Sequence, residues 1–267
     1  MIGLKDVRNG TWRLRRRLLK TGNIVTFDGF KMMLDERSYM DLSLFRQYLE
    51  DNTYEVEISK YIRSSLRPGN TFVDVGANSG YYSLLTSNIV GEDGLILAFE
   101  PYSNSFNRLI SNLKLNNFNN VLTFKIALSS YDGKGCLKIS SSSDGLNSLK
   151  DIPLIEEHIE VDVGKLDTIF TFERDVDMIK VDAEGSEIDV LKGASNILAK
   201  NRDIKIIYEV NRSFIGSQEL VDNLKELGFI SFTIKGGKIS KQISKVEEIP
   251  AGISNLVALR QYVVERV

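Results

Sequence analysis

Residues 71–80 read TFVDVGANSG: an apolar run closing on Asp74, a turn carrying Gly76 and Gly80, and then an amphipathic stretch from Tyr81. This order predicts a β-strand, a glycine turn and a helix. The glycines let the backbone approach a ligand, and free N–H groups at the helix start favour a carboxylate or phosphate. The next apolar run ends at Glu100, where the acid of a dinucleotide-binding fold takes a pair of ribose hydroxyls. Together the two features predict a nucleoside site at the carboxyl ends of neighbouring strands.

Outward from this stretch, apolar runs alternate with amphipathic ones. Strands are expected at 71–75, 95–100, 121–127, 178–182, 205–210, 229–234 and 255–260, and helices at 81–89, 103–116, 187–199 and 217–227. Such alternation predicts an α/β fold, a mainly parallel sheet with helices on both faces. Residues 131–168 break it, with strands expected at 135–139 and 159–163 around the serine-rich SSSSDGLNS at 140–148. An insertion of this kind is expected to wall a site. Residues 1–68 read as a small N-terminal cap on a main domain at 69–267. The cap comprises a basic helix (WRLRRRLLK, 12–20), a β-hairpin of 23–27 and 30–34 turning at Asp28-Gly29, and helical periodicity from Asp41 to Leu66 that Pro68-Gly69 closes.

The chain has 267 residues, 42% hydrophobic and 26% charged, with four prolines, which excludes a disordered or low-complexity chain. A net charge of -2 gives no global field toward nucleic acid. The basic segment 12–20 reads as a solvated helix with packed leucines, peripheral contact with an anionic membrane being its alternative use. No apolar run reaches bilayer length, no signal peptide opens the chain, and Cys136 has no cysteine partner; a cytoplasmic location, or the inner membrane surface, is expected. Cys136 reads as core and His158 as a surface residue. One histidine rules out a multi-histidine metal centre and no metal is expected, a carboxylate site for a hard cation at Asp182, Glu184 and Glu209 being the alternative. Oligomeric state is not legible.

The loop also separates two chemistries. A nicotinamide-binding loop needs G-x-G-x-x-G beneath a pyrophosphate, whereas 76–80 offers G-x-x-x-G with Asp74 two residues ahead. An acid there repels pyrophosphate and suits a ligand with an ammonium group, such as the amino-acid end of S-adenosylmethionine. Its carboxylate would use the loop N–H groups, and Asp74 would receive its amine directly or through water.

The runs DVGANSGYYS (74–83), FEP (99–101), IKVDAEGSE (179–187) and YEV (208–210) resemble the FkbM family of S-adenosylmethionine-dependent methyltransferases. So do the DGFKMMLD hairpin and the Tyr54-Glu55 pair, and the resemblance spans roughly residues 22–210. It implies the class I methyltransferase fold, a Rossmann-like seven-stranded sheet with its last strand antiparallel. The activity it implies is O-methylation of a hydroxyl on a sugar, a glycan or glycolipid, or a small metabolite. Matched position by position, Asp74, Gly76, Asn78 and Gly80 fall on the cofactor loop and Glu100, followed by Pro101, on the ribose carboxylate. Asp182, Glu184 and Gly185 form the second acidic motif. Of Tyr81 and Tyr82, which open the helix, Tyr82 is taken as the cofactor contact.

Methyl transfer is an in-line displacement in which alignment supplies much of the rate, but an alcohol must still lose a proton. Asp182, at a strand's carboxyl end, is the first choice to take it, Glu184 the second, and Glu209 is placed to bind substrate hydroxyls. Glu187 and Asp189 read as a helix cap with Ser186, and Asp167 as another cap. Two rivals remain: a nucleic-acid methyltransferase, which would carry Asn/Asp-Pro-Pro-aromatic where this chain reads VDAEG, and a non-catalytic nucleoside-binding scaffold, which needs no acids there.

Overall fold

A computed structural model describes residues 23–27, 29–139, 147–149, 157–211, 216–250 and 253–264. The basic segment 12–20 and most of the serine-rich loop lie outside these residues.

Strands β3 (Thr71–Val75), β4 (Leu95–Phe99) and β9 (Met178–Val181) are almost wholly buried, as expected of strands covered on both faces. They sit centrally in a sheet ordered β12-β11-β13-β10-β9-β3-β4-β5, with β5 at Val121–Phe124, β10 at Lys205–Asn211, β11 at Phe229–Lys235, β12 at Lys238–Ile243 and β13 at Ile253–Arg260. The run from β10 through β9, β3 and β4 to β5 is parallel, and β13 runs antiparallel to both β10 and β11. These are the seven expected strands with the last reversed. The eighth, β12, pairs antiparallel at the β11 edge. Its sequence KISKQI buries little beyond Ile243, so periodicity does not announce it.

Alternation along β3 sends Phe72 to one face and Val73 to the other, and a separate apolar cluster forms on each. On the Phe72 face, helix α3 (Tyr81–Val90) packs with the cap: the hairpin β1–β2 (Asn23–Phe27, Phe30–Leu34) and helices α1 (Tyr39–Asp51) and α2 (Val56–Ser65). Phe27, Phe30, Met32, Leu34 and Ile62 share this cluster with Leu84 and Ile96, so cap and sheet bury one common core. Asn112 of helix α4 (Ser103–Asn116) fastens the hairpin to the glycine turn by accepting from Met33 N (2.7 Å) and donating to Ser79 O (2.9 Å).

Two long helical readings are each broken. Between α1 and α2 the chain turns through Asn52 (φ 60°) and Glu55 (φ 42°), left-handed conformations that end helical pairing. The expected 187–199 helix splits at Gly193 into α5 (Glu187–Lys192) and α6 (Ser195–Lys200). The carbonyl of Ser129 packs where a Cβ of residue 193 would stand, 1.9 Å away, so glycine is required there. Asp167 caps α6 as expected, accepting from Asn196 N and Ile197 N.

The insertion forms a sheet ordered β6-β8-β7, with β6 at Ala127–Leu128, β7 at Gly133–Ile139 and β8 at Glu157–Gly164. In β7, Leu137 and Ile139 point inward and Cys136 outward, which corrects the reading of Cys136 as core; it is exposed. His158 is exposed on β8, as expected. Among the described residues no helix is long and apolar enough to cross a membrane.

Candidate active site

A cavity of about 550 Å³ opens at the carboxyl ends of β3, β4, β9 and β10. Gly76, Asn78, Glu100, Pro101, Asp182, Glu184 and Glu209 all line it, so seven of the ten site residues expected from sequence meet in one place. The cap adds Tyr39, Met40, Tyr54 and Glu55, and the insertion adds Leu137 and Leu149 as an apolar wall with Asn147 beside them.

Asp74, Gly80 and Tyr82 do not line the cavity, and each has a different task. Asp74 is buried and accepts from Ser83 Oγ (2.6 Å) and the Ser83 N–H, which ties β3 to the first turn of α3. Through Oδ2 it acts as an internal cap, while its buried Oδ1 meets no hydrogen-bond partner among the described residues. Gly80 (φ +97°) packs on α4, where a Cβ would meet Leu109 Cδ1 at 2.6 Å. Tyr82 turns inward and donates to the Glu55 carboxylate, with the Lys180 ammonium 4.8 Å from its ring centre. Tyr81 also turns inward and bonds Thr53 Oγ1 (2.9 Å) and Tyr54 N (3.2 Å). Both tyrosines hold the 53–55 loop of the cap.

The loop N–H groups are also spent internally, which corrects the expectation that they bind a carboxylate. Gly76 N and Ala77 N donate to Phe99 O, Asn78 N to Glu100, Ser79 N to Asn78 Oδ1 and Gly80 N to Ala77 O. Gly76 (φ +76°) is required by packing as well, since a Cβ would lie 2.0 Å from the carbonyl of Asp182. Gly80→Ala should cost about 2 to 3 kcal/mol, combining a left-handed backbone with overpacking against Leu109. Chemical denaturation measures this, and wild-type stability would mean that Leu109 yields freely.

Glu100 is the best-fixed acid. Its Oε2 accepts from Asn78 N (2.9 Å) and its Oε1 from Tyr102 N (2.8 Å), leaving lone pairs on both oxygens. Burial pushes the carboxyl up to about 7, while the two N–H bonds and Arg108 pull against it. Arg108 itself reaches Asn78 Oδ1 (3.3 Å) and lies 3.8 Å from Asp41, joining the turn to α1.

The acid loop after β9 is wound around Glu187, whose Oε1 accepts from Ala183 N (3.0 Å) and Gly185 N (3.1 Å). Glu187 thus stays outside the cavity as expected, although Ser186 makes no side-chain cap. The winding puts Glu184 in the left-handed region (φ 49°) and aims it into the cavity, its carbonyl accepting from Ser148 Oγ (2.6 Å). Burial, then the charges of Asp182 and Glu187, raise its carboxyl above the usual range. Sequence reading missed Lys180, buried on β9 and donating to Asp182 Oδ2 at 2.8 Å. Burial alone would lower its affinity for the proton, but Asp182, Asp74 and Glu55 outweigh this and hold the ammonium charged. A lysine inside an apolar strand flanked by acidic motifs was the available signal.

Sheet order, reversed last strand and cavity position define a class I methyltransferase fold. Residues 74–231 match the methyltransferase FkbM domain family, more than half of the chain, and the chain belongs to that family. It is 29% identical over 162 residues to Methyltransferase 1 of Beauveria bassiana (strain ARSEF 2860), covering 52% of this chain and 64% of that protein. Among solved structures, M. jannaschii TYW2 in complex with AdoMet aligns at 14% identity and TM-score 0.48, covering 90% of this chain and 84% of that one. Methyltransferase FkbM from Methylobacillus flagellatus KT aligns at 13% identity and TM-score 0.47, covering 82% and 53%. The chain spans 64% of the length of that curated relative, and the nucleoside methyl donor that the family resemblance implies is S-adenosylmethionine. The cavity suits such a group: its volume falls in the ligand range of about 300 to 1,000 Å³, and a fixed carboxylate faces it beside apolar walls.

Proposed function

We propose that the chain transfers a methyl group from S-adenosylmethionine to a hydroxyl of a sugar, a glycan or glycolipid, or a small metabolite. One observation carries this reading: a single cavity holds Glu100 with the 76–78 turn and, across it, the three acids Asp182, Glu184 and Glu209. The bound donor supplies an electrophilic methyl on a sulfonium. Glu100 accepts the ribose hydroxyls through its remaining lone pairs, with Gly76, Asn78 and Pro101 beside it. Asp182, backed by Glu184, takes the proton of the acceptor hydroxyl as the O–C bond forms and the C–S bond breaks. Glu209 holds neighbouring hydroxyls, and Leu137 and Leu149 keep water out.

The same acids disfavour a nucleic-acid acceptor, whose phosphates they would repel. Residues 1–68 act as a cap on 69–267, a division supported by the four cavity residues that the cap contributes. The test is transfer of labelled methyl from S-adenosylmethionine to a panel of neutral sugars, glycolipids, small hydroxylated metabolites, tRNA and DNA. Label on a hydroxyl compound is expected; label on nucleic acid alone would overturn the acceptor class.

A further inference from the structure

Carboxylates from four parts of the chain share the field of the buried Lys180 ammonium: Asp74 on β3, Glu55 in the cap, Asp182 and Glu184 in the acid loop, and Glu209 on β10. Five negative charges gathered around one positive charge in a half-buried site repel one another, so some of these acids hold protons. The contacts identify which. Asp182 has the ammonium at 2.8 Å and a side chain 28% exposed, so it is the anion. Glu209 is hydrogen-bonded to Asp182. Two carboxyl groups share a hydrogen bond only when one carries the proton, and with Asp182 charged that one is Glu209.

We propose that Glu209 is a proton-holding acid of the cavity before the donor binds, that Lys180 positions this proton by fixing Asp182 as its charged partner, and that binding the cationic methyl donor expels it. The Glu209 O–H bond breaks, its electron pair stays on the carboxylate, and the proton leaves to solvent. The Asp182–Glu209 pair then becomes a base only after the donor is seated, ready for the proton of the acceptor hydroxyl. This rests on the donor site proposed above.

The electrostatics agree in direction. Burial first, and then the charges of Asp182 and Glu184, lift the Glu209 carboxyl far above its ordinary range, with Lys180 pulling it down. From the cap, Tyr54 also faces this group. Asn255, opposite Glu209 in β13, gives its side-chain amide to Glu55 (3.2 Å).

The experiment is calorimetric titration of S-adenosylmethionine and S-adenosylhomocysteine into the intact protein at pH 7, in phosphate and in Tris, whose ionisation heats differ. The two ligands share nucleoside and amino acid, so their difference isolates the sulfonium. S-adenosylmethionine should release about 0.5 to 1 proton per site more than its neutral product. Glu209→Gln should erase that difference while still binding both. Equal proton release by the two ligands in wild type would overturn the proposal without any variant having to fold. Absence of S-adenosylmethionine binding in either buffer would instead overturn the donor site on which it rests.

Discussion

Lys180→Met should lower folding stability by about 3 to 5 kcal/mol at pH 8, because it leaves a buried carboxylate cluster without its counter-charge. The loss should shrink at pH 5.5. Glu55, Asp74 and Glu209 already have carboxyls raised by burial, with Lys180 pulling against the rise. Acids raised in the folded state contribute stability that is complete below their unfolded values, near 4, and is lost as pH climbs through their folded values. Removing the lysine raises those folded values further, so the deficit is greatest on the alkaline side. Urea denaturation at the two pH values measures it. A loss below about 1 kcal/mol, or one larger at pH 5.5, would contradict the role given to the ammonium.

Asp182→Asn should keep S-adenosylmethionine binding within about tenfold while lowering turnover by roughly 10² to 10⁴, because it preserves shape but removes the basic oxygens. The acceptor found by the methyl-transfer panel supplies the assay. Asp182 also receives the Lys180 bond, so folding should be checked alongside turnover. Full turnover in a folded variant would move the proton to Glu184 or leave positioning alone to explain the rate.

The central sheet was legible because its strands are short, continuous apolar runs, and the glycine turn because glycines and acids stand at informative spacings. The structure adds a second reason for those glycines. Gly76 and Gly80 are crowded by Asp182 and Leu109, and no spacing rule separates such packing from room for a ligand. For Asp74 the position in the strand was clear, but not that Ser83 would turn back to meet its Oδ2. Lys180 escaped because its partners Glu55 and Asp74 lie more than a hundred positions earlier in the chain. The cap's contribution was hidden at Asn52 and Glu55, where left-handed residues interrupt a periodicity that reads as unbroken helix. Glu209 was placed at the correct sheet edge, while its hydrogen bond to Asp182 depends on the parallel register of β9 and β10.

The central claim is that Glu100 and the turn beside it hold the nucleoside of the methyl donor. Calorimetry with wild type and Glu100→Gln tests this directly, using S-adenosylmethionine, NAD and ATP as ligands at pH 8, where Glu100 is ionised. Wild type should bind S-adenosylmethionine in preference to the other two, and the substitution should weaken that binding by about 1 to 3 kcal/mol by replacing a charge-assisted acceptor with a neutral amide. Wild-type affinity should also fall as pH drops below 7 and the carboxyl takes up a proton. Unchanged affinity in a folded Glu100→Gln variant, or NAD binding as tightly as S-adenosylmethionine, would contradict the account.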